Sequence, residues 1–145
     1  MLRQIFRKDF NNMSKSAIYT ALSNPTSVSS DAIIPLGATI RRFGCNILQD
    51  GNTISIKGRG YFLVNITITA APAAVGTVTA TLNKDGVQVT GATASSSVST
   101  AANPIALPIV AIVRNACDCD SSILSLALSG EASTVQNVAV SVVKL

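Results

Sequence analysis

Between residues 58 and 89 the chain reads GRGYFLVNITITAAPAAVGTVTATLNKDGVQV and commits to a period of two. Phe62, Val64, Ile66 and Ile68 alternate with the polar Asn65, Thr67 and Thr69. After a break over residues 70–76, which holds Pro72 and Gly76, the alternation resumes with Val78, Ala80 and Leu82 set between Thr77, Thr79 and Thr81. Successive side chains of a strand point to opposite faces, so each segment sends one face to a core and the other toward water. Asn83-Lys84-Asp85-Gly86 then supplies residues that tolerate left-handed backbone, with Val87 and Val89 directly after, which predicts a hairpin.

The rest of the chain repeats this architecture. Strands are predicted at residues 16–22, 32–36, 39–43, 45–48 and 53–56, with Asn24-Pro25 as a turn signal, residues 26–30 as a polar connector and residues 49–52 as a hairpin turn. Arg41 and Arg42 are adjacent, so on a strand they face opposite ways, and at least one needs a partner or an edge position. Residues 92–102 are almost wholly Ala, Ser, Thr and Val. That is the composition of a linker, but its β-branched content fits a plain strand and a loop.

Residues 104–113 depart from alternation. Ile105, Leu107, Ile109, Val110, Ile112 and Val113 place apolar side chains on both faces of one strand. Such a strand must be covered on both sides. In a single sandwich only one face meets the core, so these six residues are the candidate subunit interface; capping by the chain's own loops is the alternative. Residues 123–128 and 134–143 complete a set of about ten short strands. The expected class is all-β: an antiparallel β-sandwich or jelly roll.

Composition narrows the function classes. The 145 residues suffice for one core, and the surface is unusual, for 48% of the residues are hydrophobic and only 12% charged, against roughly 25% charged in an ordinary domain. A surface built from Ser, Thr, Ala and Asn suits burial against copies of itself. The net charge of +4 could suggest nucleic acid, yet five of the eleven basic residues (Arg3, Arg7, Lys8, Lys15 and Arg41) precede Arg42, and no basic residues interleave with stacking aromatics as a nucleic-acid groove requires. No nucleic-acid partner is expected. No apolar run is long enough to cross a bilayer, and the basic N-terminus lacks the apolar stretch of a secretory signal, so no membrane partner is expected either.

The chain has no His, so catalysis would fall to a thiol or a carboxylate dyad, and the acids Asp9, Asp31, Asp50, Asp85, Asp118, Asp120 and Glu131 sit mostly in predicted turns. No enzyme, catalytic residue or cofactor is expected. The three cysteines are Cys45, Cys117 and Cys119. Cys117-Asp118-Cys119-Asp120 has the residue types of half a metal site, but a second cluster is missing, so the expectation is thiols in a loop and no bound metal. A ring of three such loops about a symmetry axis is the other reading.

Residues 1–13 differ from all that follows. Leu2, Ile5, Phe6 and Phe10 recur at helical spacing, with Arg3, Arg7 and Lys8 around them. So short a helix is not stable alone in water and needs a partner to hold it. The expected organisation is therefore an anchoring arm over residues 1–13, whose apolar stripe enters a groove on another protein, and a folded domain over residues 14–145. An accessory extension ahead of Met13-Ser14-Lys15 is the competing reading.

The strand Gly60-Tyr61-Phe62-Leu63-Val64, the turn Leu82-Asn83-Lys84-Asp85-Gly86-Val87, the doubly apolar residues 107–113 and the short strand at residues 138–143 together resemble the trimeric jelly-roll domains of the C1q and tumour-necrosis-factor type. The closer likeness is to their small bacterial and phage versions, such as the tip of Bacillus exosporium collagen-like glycoproteins. Ser16-Ala17-Ile18-Tyr19-Thr20 and Ile40-Arg41-Arg42-Phe43-Gly44-Cys45 resemble virion structural proteins of phages of Firmicutes. The resemblance implies a homotrimeric part of a phage particle: a capsid decoration or head-fibre module, made in the bacterial host cytoplasm and held on the capsid surface, through residues 1–13, by the major capsid protein or another shell protein. A host-surface or glycan-binding tip, or a bacterial surface or exosporium protein, is the alternative. The sequence departs from the animal family in lacking axis aromatics and calcium-type carboxylate clusters, and it has no Gly-X-Y stalk. Tyr19 and Tyr61 are its only tyrosines and it has no Trp, which leaves few stacking groups for a sugar.

Overall fold

The period-two segments pair into two antiparallel sheets in the computed structural model, which describes residues 15–145. The chain forms β1 (Ala17–Leu22), β2 (Thr26–Val28), β3 (Ala38–Phe43), β4 (Ile47–Asp50), β5 (Thr53–Lys57), β6 (Gly60–Pro72), β7 (Gly76–Lys84), β8 (Val87–Val98), β9 (Ile105–Asn115), β10 (Ser121–Gly130) and β11 (Ser133–Lys144). The first sheet runs β3-β1-β11-β6-β9, with β2 also paired to β11; the second runs β4-β5-β10-β7-β8. From β5 onward the chain crosses repeatedly between the sheets, which makes a jelly roll.

Alternation decides which side chains fill the space between the sheets. Phe62, Val64, Ile66 and Ile68 of β6 share one core with Val78, Ala80 and Leu82 of β7, Leu124, Leu126 and Leu128 of β10, and Val138, Val140 and Val142 of β11. Phe62, Val64 and Ile68 are wholly buried. A gap of about 10 Å³ lies among Leu36, Ile54, Ile66 and Leu82, room for at most one water.

Two departures from the predicted strands have local causes. Residues 32–36 make a single bridge, Ile33 to Ala127, rather than a strand. Asp31 takes φ 64° just before them, and Pro35 has no amide hydrogen to continue a ladder. The alternation itself holds, since Ile34 and Leu36 are buried and Ile33 is exposed. The polar connector contains β2, which continues the line of β1 along β11 after the interruption at Pro25. In β8, residues 89–92 bulge out between the Thr81–Thr93 and Asn83–Gln88 pairs, and Gln88 Nε2 closes the neck of the excursion by donating to Thr93 Oγ1 at 2.8 Å.

Both open edges of the sandwich carry a cation that bonds across to the other sheet. Arg42, on edge strand β3, donates from Nε to the carbonyl of Ile47 on β4 at 2.7 Å, while Arg41 pairs opposite Tyr19 on the outer side. At the other edge Lys84 of β7 donates to the carbonyl of Arg114 on β9 at 2.7 Å. The adjacent arginines thus find both an edge and a partner. A buried polar tie joins the sheets at one end: Asn115 of β9 accepts from Ser122 Oγ of β10 at 3.1 Å and donates to the Ile56 carbonyl of β5 at 3.4 Å.

Two substitutions test this packing. Gly37 sits at φ +76°, and a Cβ there would overlap the carbonyl of Ala21; Gly37→Ala should lower unfolding free energy by roughly 2–4 kcal/mol in urea titration. Gly86, at φ +79° with open space around it, should lose only about 1 kcal/mol as Ala. Conversely, Thr20 is fully buried on β1 and its hydroxyl has no hydrogen-bond partner among the described residues. Thr20→Val should therefore raise stability by about 1 kcal/mol, and a melting temperature at or below that of the native chain would contradict this account of the β1 packing.

Candidate assembly surface

The outer face of the first sheet is where the low charge of the chain becomes a surface. Because β3, β1, β11, β6 and β9 pair in register, residues of the same outward parity line up in rows across the sheet. One row is Phe43–Ala17–Val143–Leu63–Ile112, apolar from edge to edge. The next is Arg41–Tyr19–Ser141–Asn65–Val110, and the third ends Ala21–Ala139–Thr67–Pro108. Phe43, Val110 and Ile112 are 60%, 63% and 57% exposed. Monomeric proteins rarely leave a contiguous apolar surface of this kind open to water.

Around the first row the sheet end adds more apolar surface. Tyr61 is exposed and lies opposite Arg114, whose guanidinium carbon stands 5.8 Å from the ring centroid, within the range of a cation–π contact. The exposed Leu145 joins the same corner, its amide donating to the Tyr61 carbonyl at 2.9 Å.

The doubly apolar strand divides as its parity dictates. Leu107, Ile109 and Val113 are buried in the protomer's own core, and Ile105 is half-buried against it. Those four side chains therefore face inward, and this corrects their assignment to a subunit interface. Val110 and Ile112, with Ala106 and Pro108, are the β9 residues left for a partner. Phe43, Tyr19, Leu63 and Val143 were missed by the sequence reading. For Tyr19, Leu63 and Val143 the signal was the same as that of Ile112–Val113, an apolar or aromatic residue directly beside a buried one, as in Ile18–Tyr19, Phe62–Leu63 and Val142–Val143, whereas Phe43 follows the exposed Arg42 and has no such signal. The register that lines them up was not visible. The arm residues Leu2, Arg3, Ile5, Phe6, Arg7, Lys8 and Phe10 lie outside the described residues.

The outer face of the second sheet has the opposite character. Thr77 and Ser97 are 2.9 Å apart at their hydroxyls, Thr79 and Ser95 2.8 Å, and Thr81 pairs opposite Thr93. Hydroxyl rows continue through Ser129 and Ser125 on β10. Over β7, β8 and the adjoining part of β10 this face is polar and nearly uncharged, while Leu48 and Ile123 are exposed on either side of Ser55 at its β4–β5–β10 end.

A groove of about 460 Å³ opens between β8 and β9, lined by Lys84, Asp85, Val87, Gln88, Ile112 and Arg114 among others. Asp85 serves its turn, accepting from the Ile123 amide at 2.9 Å. In the loop between β9 and β10, Asp118 accepts from the Arg59 amide at 3.2 Å and Asp120 accepts from the Ala116 and Cys117 amides at 2.9 and 3.1 Å. The carboxylates of Asp85, Asp118 and Asp120 thus cap backbone amides. Cys117 and Cys119 form a disulfide, and Cys45 is free and exposed. No helix among the described residues is long and apolar enough to cross a membrane.

No protein-family model and no curated protein matches this chain by sequence. Solved structures do match by shape. Murine APRIL superposes with a TM-score of 0.67 at 13% identity, over 90% of this chain and 99% of that one. The globular domain of the zebrafish complement 1qA protein matches with a TM-score of 0.65 at 8% identity, over 90% and 96%. The PRD1 vertex protein P5 matches with a TM-score of 0.57 at 14% identity, again over 90% and 96%. The two-sheet order, the chain crossings and these likenesses agree: the chain has the C1q/TNF-like jelly-roll fold.

Proposed function

We propose that this protein is a non-enzymatic structural part of a phage particle, a homotrimeric capsid decoration or head-fibre module. The observation that carries the reading is the apolar row Phe43–Ala17–Val143–Leu63–Ile112, which crosses the whole first sheet. Removing apolar area from water contributes roughly 25 cal/mol per Å², so covering this face stabilises an assembled form. A closed ring buries it in every copy, and the likeness to the PRD1 vertex protein supports a place on a virion.

In this reading the jelly roll stands on the shell and residues 1–13 dock each protomer, with Leu2, Ile5, Phe6 and Phe10 entering grooves while Arg3, Arg7 and Lys8 meet acidic shell surface. Three weak arms on one rigid body bind far more tightly than one when their spacing matches the sites. Tyr19 and Tyr61 lie on the face assigned to subunit contact, which leaves the glycan-binding alternative without an exposed aromatic platform in the assembled form.

Light scattering on the full chain should give a mass near three times 14.9 kDa, with and without reductant. Paired Val110→Asp and Ile112→Asp should collapse it to the monomer mass, whereas Leu48→Asp on the outer face of the second sheet should leave it unchanged. A native chain that is monomeric at micromolar concentration would sink the assembly reading. An Ile5→Asp/Phe6→Asp variant should keep the trimer mass and lose co-sedimentation with the phage shell; retained co-sedimentation would remove the arm from the anchoring role.

A further inference from the structure

We propose that the loop joining β9 to β10 is a redox-gated metal site: once the Cys117–Cys119 disulfide is reduced, the two sulfurs and the Asp120 carboxylate hold one borderline-soft divalent cation of the Zn²⁺ class. The donor atoms of Cys117, Cys119 and Asp120 all lie within 4.8 Å of one another. Asp120 is held for the task. Its Oδ2 accepts from the Ala116 and Cys117 amides at 2.9 and 3.1 Å, which leaves Oδ1 beside Cys117 Sγ at 3.4 Å. Asp118, the other carboxylate of the loop, turns away to the Arg59 amide.

One backbone bond closes the loop on itself and another ties it to the turn before β6. The Asp120 amide donates to the Cys117 carbonyl at 3.1 Å, and the Gly58 amide donates to the Asp120 carbonyl at 3.0 Å. Three donors are therefore presented from one hydrogen-bonded turn, which lowers the ordering cost of binding. Zinc–sulfur bonds of about 2.3 Å at tetrahedral angles need the two sulfurs about 3.7 Å apart. The Cα atoms are already 5.4 Å apart, and Cys119 is exposed, so a side-chain rotation can open the pair.

The disulfide closes a ring across one intervening residue, so it removes little unfolded-chain entropy and contributes little to the fold. Its chemistry is available for another use. A dithiol reductant supplies two electrons and two protons; the S–S bond breaks, two thiols form and the reductant becomes a disulfide. The cation then displaces both thiol protons, and the two thiolates and one carboxylate bind its charge. The fourth position stays open to water.

The test uses the full chain carrying Cys45→Ser, so that only the loop thiols report. After reduction and removal of the reductant under anaerobic conditions, Co²⁺ titration should give one ion per protomer with thiolate-to-cobalt charge-transfer absorption, and Zn²⁺ should displace it. The oxidised protein, which is the folded control, should give no such band. Asp120→Asn should weaken Zn²⁺ binding about ten-fold or more, whereas Asp118→Asn should not. Reduced protein that binds Zn²⁺ no more tightly than Cys117→Ser/Cys119→Ser would overturn the site, and equal losses in the two Asp variants would overturn the assignment of Asp120 as a ligand.

Discussion

Burying Phe62, Val64, Ile66 and Ile68 of β6 against the second sheet fixes the parity of every residue on that strand. Pairing then passes the choice to the neighbours, because β11 and β9 must match β6 in register to bury their own Val140 and Leu107. A slip of one residue would turn each of these side chains outward. The inner face is thus overdetermined, and the outer face follows from it. Leu63, Val143 and Ile112 are outward because Phe62, Val142 and Val113 are inward.

The two outer faces that result are unlike each other. One carries an apolar row across five strands, and the other carries hydroxyl groups bonded to one another. The division matches the proposed subunit, with one side for its copies and one for water, in a chain with 48% hydrophobic residues and 12% charged ones.

Most of the fold was legible because parity is a local signal. The alternation at residues 62–68 and 77–82, the turn at Asn83–Gly86 and the doubly apolar stretch at residues 105–113 all stand in the sequence as they stand in the structure. What was not legible depends on pairing at long range. Nothing local shows that Phe43 meets Ala17 or that Leu63 meets Ile112, so the candidate interface was read from one strand although the apolar row crosses five. The same gap sent Leu107, Ile109 and Val113 to the interface, since apolar content on both sides of a strand does not say which side the core takes. The excursion at residues 89–92 was also hidden, for Ala92 is buried there without any alternation to announce it.

The cation bonds at the two edges bear on a different matter, the dimension in which copies of this chain can add. An antiparallel sheet with a bare edge can recruit another strand, and then another, with no natural stopping point. Here Lys84 occupies the Arg114 carbonyl on the open side of β9, and Arg42 occupies the Ile47 carbonyl on β4. Each bond takes one carbonyl that an added strand would need. Two long side chains at the rim therefore weigh against open-ended strand addition, a mode of growth with no fixed number of copies.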